Sequence, residues 1–144
     1  EQNFKLCFAG AGELLENLNE FININKLNKF ILPIKKIKSS MMPQLYKRSH
    51  AILVLSKNET GPFVTKEALA CGKPVFTTNV GISKFLIIKK NGIMIPVNNP
   101  LRNLNKFIAF LRNNYNANDI INSLSNFIKN DEKILNKNIK KIYK

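Results

Sequence analysis

The fold is decided by the segment Ser56-Lys57-Asn58-Glu59-Thr60-Gly61-Pro62-Phe63-Val64-Thr65-Lys66-Glu67-Ala68-Leu69-Ala70-Cys71-Gly72-Lys73-Pro74-Val75. Immediately before it stands Ala51-Ile52-Leu53-Val54-Leu55, a continuous apolar run of the kind expected in a strand covered on both faces. The segment leaves that strand through a Gly-containing turn. It then enters a helix over residues 62–71, with Pro62 in the first turn and Gly72 just past the end. In an open parallel sheet, ligands bind in the crevice beyond the carboxyl ends of the strands, where this turn lies. The helix start near Gly61, Phe63 and Val64 offers unpaired backbone N–H groups and a partial positive charge, a fitting place for a diphosphate. Glu59 stands before the helix and Glu67 about a turn and a half inside it, so both carboxylates can flank a ligand held there. Ionised carboxylates only accept hydrogen bonds, which suits the hydroxyls of a sugar or ribose. By itself the spacing would fit a capping Glu59 and a solvated Glu67 equally well. The strand, the turn and the helix around the pair give it meaning.

Outward from this segment, apolar runs and helical patterns alternate. Residues 4–9 read as a strand ending at Gly10-Ala11-Gly12, and residues 13–21 carry Leu14, Leu15 and Leu18 at helical spacing. A second strand spans 30–34 and a short helix 41–48; further strands lie at 74–77 and 93–97. This alternation predicts an α/β fold, a Rossmann-like parallel sheet with helices on both faces. After Pro100 the pattern is helical only. Leu101, Leu104, Ile108 and Leu111 form one apolar stripe, Ile121, Leu124 and Ile128 a second, and Leu135, Ile139 and Ile142 a third, each read as a core contact. Residues 1–100 are therefore expected to form the binding domain, and 101–144 the C-terminal helices packing on it.

Composition narrows the classes. Within 144 residues, 44% are hydrophobic, enough for one globular core, and no apolar stretch approaches the ~20 residues of a membrane span. The N-terminal Glu1-Gln2-Asn3 shows no signal-peptide pattern. A net charge of +14 favours phosphates, nucleic acid or anionic lipid as contacts. The lysines are scattered, however, without the interleaved aromatics of a single-strand binding platform, so no specific nucleic acid is expected. Cys7 and Cys71 lie far apart and read as buried thiols of a reducing compartment. His50 is the only histidine, and no ligand cluster or D-x-D occurs, so no metal is expected. Gly10-Ala11-Gly12 does not open a dinucleotide fingerprint, because its sixth position is Leu15.

Glu59 and Glu67, seven residues between them, trailed by Ala-Leu-Ala-Cys-Gly-Lys-Pro-Val, resemble the E-x7-E motif of the retaining glycosyltransferases of the GT-B fold, family 4, also described as glycosyl transferases group 1. Other pieces fall in the family's order. Residues 4–12 resemble its strand ending in G-x-G, and Met42-Pro43-Gln44-Leu45-Tyr46 through Ser56 its short helix and buried strand. Gly81-Ile82 and Asn91-Gly92-Ile93-Met94-Ile95-Pro96 resemble its segment C-terminal to the motif, and residues 127–143 its closing helix. The resemblance implies a nucleotide-sugar donor as substrate, no cofactor, and transfer with retention to a glycan or lipid-linked acceptor. It gives Glu59 the transferred sugar, Glu67 the ribose, and the amides of Gly61, Phe63 and Val64 the diphosphate. Gly10 and Gly12 would let the backbone approach the donor, and Leu32-Pro33 would border the nucleobase. The resemblance also implies a cytoplasmic location, with peripheral contact at the inner face of the membrane.

The departures are also specific. The family's first βα unit of this domain has no counterpart in the chain, nor does its N-terminal acceptor domain, so transfer by this chain alone is not expected. Pro62 replaces a common Gly, and Lys84 a common Glu. Two other classes compete: a non-catalytic nucleotide-binding or interaction domain of the same fold, and a basic nucleic-acid-binding domain.

Overall fold

The computed structural model describes residues 5–34, 37–59 and 63–142. Two compact units divide between Met42 and Pro43. Each is built from parallel strands joined through helices, the arrangement that the alternation of short apolar runs and helical patterns demands.

In the first unit, β1 (Leu6–Ala9) leads through α1 (Leu15–Ile24) to β2 (Ile31–Ile34), with a 3-10 turn after it at Ser39–Met41. The strands are parallel, with Leu6 opposite Ile31 and Ala9 opposite Ile34. Helix α1 ends where Asn25 donates its side-chain amide to the Phe21 carbonyl at 2.8 Å, and Lys26 turns the chain with φ 54°. Ile22 is the buried residue of α1, whereas Phe21 and Ile24 stay exposed. All four residues of β1 are exposed, which corrects the expectation of a buried Cys7: that thiol is free and exposed. The apolar run makes a strand, but among the described residues β1 pairs with β2 alone. Phe4, read as the start of this strand, lies outside the described residues.

The second unit begins within α2 (Met42–Arg48). It continues through β3 (Ile52–Val54), α3 (Phe63–Ala70), β4 (Val75–Thr78), α4 (Ser83–Leu86) and β5 (Gly92–Ile95), a 3-10 turn at Pro100–Asn103, α5 (Leu104–Arg112) and α6 (Ala117–Ile142). Its sheet runs β3-β4-β5, all parallel. The central strand β4 is buried along its whole length. Gly92 stands opposite Val75, where a side-chain carbon would collide with the Val75 carbonyl oxygen, so only glycine fits this pairing. Helices cover the sheet: α3 packs against β3, β4 and α6, and α5 against β5. The Phe107 ring of α5 stacks on Phe76 of β4 at 4.4 Å. The result is a Rossmann-like α/β fold with helices on both faces and C-terminal helices behind.

Local chemistry sets the ends of the elements. Helix α3 closes in a Schellman motif: Gly72 N–H donates to the Leu69 carbonyl at 3.0 Å and Lys73 N–H to the Ala68 carbonyl at 2.9 Å. Gly72 takes the left-handed conformation this requires, φ 68°, and a side-chain carbon there would meet the Ala117 Cβ at 2.9 Å. Asn116 caps α6 by accepting from the Asn118 N–H at 2.8 Å. The fully buried Asn91 accepts from the Ile88 N–H and donates to the Leu86 carbonyl and to Ser123 Oγ, tying the approach to β5 onto α6. With all its bonds to protein, Asn91 has a structural role.

Two sequence expectations change here. Strand β3 is not covered on both faces: Val54 is buried, but Leu53 on the opposite face is 39% exposed, because no described element lies over it. The buried stripe of α6 is Ile120 and Leu124 with the half-buried Phe127, while Ile121 and Ile128 are exposed. Both sets repeat at helical spacing, and they differ by one step around the helix. The stripe at Leu135, Ile139 and Ile142 falls on side chains outside the described residues.

Candidate functional site at the start of the third helix

The carboxyl ends of β3 and β4 set the site. Thr78, the last residue of β4, is buried and donates its hydroxyl to the Ser56 carbonyl at 2.6 Å. That bond pins the chain as it leaves β3. Ser56 in turn donates Oγ to Glu59 Oε1 at 3.1 Å, so the half-buried Glu59 is oriented by a loop that the neighbouring strand fixes. Within the same unit α3 begins at Phe63, 76% exposed, with Val64 also exposed. The amide N–H groups of both belong to the first turn, where no intrahelical acceptor is available to them. Gly61 and Pro62, expected to contribute to this turn, lie outside the described residues.

Glu67 extends from α3 as an exposed residue, and its Oε2 accepts a 2.7 Å hydrogen bond from Tyr46 Oη. Tyr46 comes from α2 and is 2% exposed. Burial raises the Tyr46 pKa well above the ordinary phenol value, and the hydrogen bond to Glu67 and that residue's charge push it the same way. The phenol therefore stays a donor at neutral pH. Each carboxylate is thus held through one oxygen by a hydroxyl; the described residues offer no hydrogen bond to the other.

Sequence reasoning placed Glu59, Phe63, Val64 and Glu67 around the start of α3, and the structure gives all four to that unit. Gly10 and Gly12 belong to the first unit; a side-chain carbon at either would meet nothing within 4 Å, so their backbone is open. Leu32 and Pro33 lie inside β2, opposite Cys7 and Phe8, rather than in a loop. His50 contributes its carbonyl, which accepts from Tyr115 Oη at 2.9 Å. Lys84 lies exposed in α4, its ammonium 5.0 Å from the Phe85 ring. Tyr46, Ser56 and Thr78 were not singled out from the sequence. Ser56, three residues before Glu59, had a local signal, because serine at that offset commonly bonds a nearby acceptor. Tyr46 and Thr78 had none, since their partners lie 21 and 22 residues away. No group of three His, Cys, Asp or Glu suited to a metal ion occurs among the described residues, and none of their helices is long and apolar enough to cross a membrane.

Comparison with known proteins places this geometry. The chain is 31% identical over 112 residues to an uncharacterized glycosyltransferase of Methanocaldococcus jannaschii, covering 77% of the chain and 31% of that relative. It thus spans about a third of the length of the curated relative it matches. Among solved structures, it is similar to the apo form of the lipopolysaccharide outer core galactosyltransferase WaaB, with a TM-score of 0.72 at 18% identity over 92% of this chain and 41% of that one. It is also similar to HepE from Anabaena in complex with UDP-glucose, with a TM-score of 0.54 at 17% identity over 88% of this chain and 41% of that one. These likenesses establish a shared fold, that of part of the GT-B glycosyltransferases. The sequence model of the family described as glycosyl transferases group 1 matches residues 1–134, and the chain belongs to that family.

Proposed function

We propose that this chain supplies the nucleotide-sugar-binding side of a retaining glycosyltransferase that moves a hexosyl group to a glycan or lipid-linked acceptor. One observation carries the reading. Two carboxylates, each held through one oxygen by a hydroxyl, stand before and within the helix that starts beyond the carboxyl end of a parallel strand. The family membership and the UDP-glucose bound to the Anabaena structure support it.

In this reading the amides of Gly61, Phe63 and Val64 bind the diphosphate, using the positive end of α3. Glu67 accepts from the ribose hydroxyls, and Glu59 from hydroxyls of the sugar. The leaving phosphate takes the acceptor's proton, and positioning together with stabilisation of the developing phosphate charge supplies most of the acceleration. No step assigned to these residues needs a metal.

The test is calorimetry of the chain with UDP, ADP and GDP, and then transfer assays with the matching nucleotide sugars in the presence of an acceptor-binding domain. Loss of a hydrogen bond to a charged group makes Glu67→Ala bind the nucleoside diphosphate about 10- to 100-fold more weakly. Glu59→Gln leaves that affinity largely intact and impairs transfer. Equal loss of nucleotide affinity in both variants would show the division of roles to be wrong. Binding without transfer, whatever acceptor-binding domain is supplied, would favour a non-catalytic nucleotide-binding domain.

A further inference from the structure

We infer that Tyr46 is a positioning residue, whose buried phenol fixes the Glu67 carboxylate for the ribose hydroxyls of a nucleotide. This inference rests on the ribose reading of Glu67 and goes one residue deeper. An exposed glutamate on a helix face samples several rotamers, and ordering it on binding costs affinity. Tyr46 removes part of that freedom. Its ring is locked in the interior of the unit, and its hydroxyl reaches Glu67 Oε2 at 2.7 Å. If Glu67 swung away, the buried phenol would lose the one hydrogen bond it makes among the described residues. The pair therefore favours a single carboxylate orientation before any ligand arrives. It also leaves Oε1 without a donor among the described residues, and a ribose hydroxyl supplies one.

A merely structural tyrosine would make the same bond, so the test must read the ribose. UDP, ADP and GDP are titrated calorimetrically, each beside its 2′,3′-dideoxy form, into the parent chain, Tyr46→Phe and Glu67→Ala. The parent prefers the hydroxylated ligands. Tyr46→Phe weakens the hydroxylated ligand about three- to tenfold and leaves the dideoxy ligand unchanged. Glu67→Ala removes the preference. Equal weakening of both ligand forms by Tyr46→Phe, or no weakening while Glu67→Ala removes the preference, overturns the positioning role and leaves the ribose reading standing. A preference that survives Glu67→Ala, or binding of none of the nucleotides, overturns the ribose reading and this inference with it. Should Tyr46→Phe not fold, 3-fluorotyrosine at position 46 keeps the ring and hydroxyl while strengthening the donor. Affinity for the hydroxylated ligand alone then changes, and an unchanged preference overturns the role.

Discussion

Strands β1 and β4 are both four residues long, both apolar at their start and both paired in parallel, yet their surroundings are opposite. Leu6, Cys7, Phe8 and Ala9 of β1 are all exposed; Val75, Phe76, Thr77 and Thr78 of β4 are all buried. The more hydrophobic of the two is the exposed one, since half of β4 is threonine. An apolar run thus predicts that a strand forms, while burial depends on what surrounds it. β4 lies between β3 and β5, with Phe107 stacked on Phe76, whereas the described residues give β1 only β2 as a neighbour. The threonines of β4 also have assigned tasks: Thr78 holds the loop that carries Glu59.

Truncation is the sharpest way to break this comparison. Leu69, on the face of α3 packed toward the β4 sheet, is fully buried, and Leu69→Ala is expected to cost about 2–5 kcal/mol. Phe8 in β1 is 42% exposed, and Phe8→Ala is expected to cost about 1 kcal/mol despite the larger side chain removed. Urea unfolding of both variants measures the difference. Equal costs would mean that β1 is covered in solution.

The next effect concerns glycines. Gly92→Ala forces a methyl group into the Val75 carbonyl across the β4–β5 pairing, and about 1–3 kcal/mol of stability should be lost. Gly12→Ala meets open space without a left-handed backbone, so its stability in the same urea titration should stay within about 0.5 kcal/mol of the parent. A large loss at Gly12 would show that the open surroundings of the first unit are wrong.

The same contrast explains what the sequence made legible. The order of strands and helices was readable because each connection has a local cue, such as Pro62 and Gly72 at the two ends of one helical pattern. The positions of Glu59 and Glu67 around the start of α3 were readable for the same reason. Burial was less so. Leu53 and Cys7 sit in apolar runs yet are exposed, and the buried face of α6 is set by Ile120, one step from the expected Ile121. Which face of an element is covered depends on distant partners, and so do the bonds from Tyr46 and Thr78 that orient the site. Spacing along the chain carries no trace of them.

The smallest expected effect tests the buried side of the comparison by pH. Tyr46 titrates from 10.0 in the unfolded chain, and its folded value is raised, first by burial and then by its bond to Glu67. Above pH 10.0 the folded state therefore holds a proton that the unfolded state releases. Stability falls with rising pH wherever the folded state binds more protons, so this contribution is complete below the unfolded value and fades as pH rises through the folded one. Tyr46→Phe removes that titration and should flatten the alkaline limb of the stability curve, while lowering neutral stability by about 0.5–1.5 kcal/mol for the lost hydrogen bond. Tyr115 is also raised by burial, so Tyr115→Phe should flatten part of the same limb, and a variant lacking both hydroxyls should flatten it further. The distinguishing measurement is the same pair of curves in a Glu67→Ala background. There Tyr46 keeps its burial but loses both contributions from Glu67, so the effect of Tyr46→Phe should shrink while that of Tyr115→Phe does not. An effect of Tyr46→Phe that is undiminished by Glu67→Ala would mean that the phenol and the carboxylate are not bonded in solution.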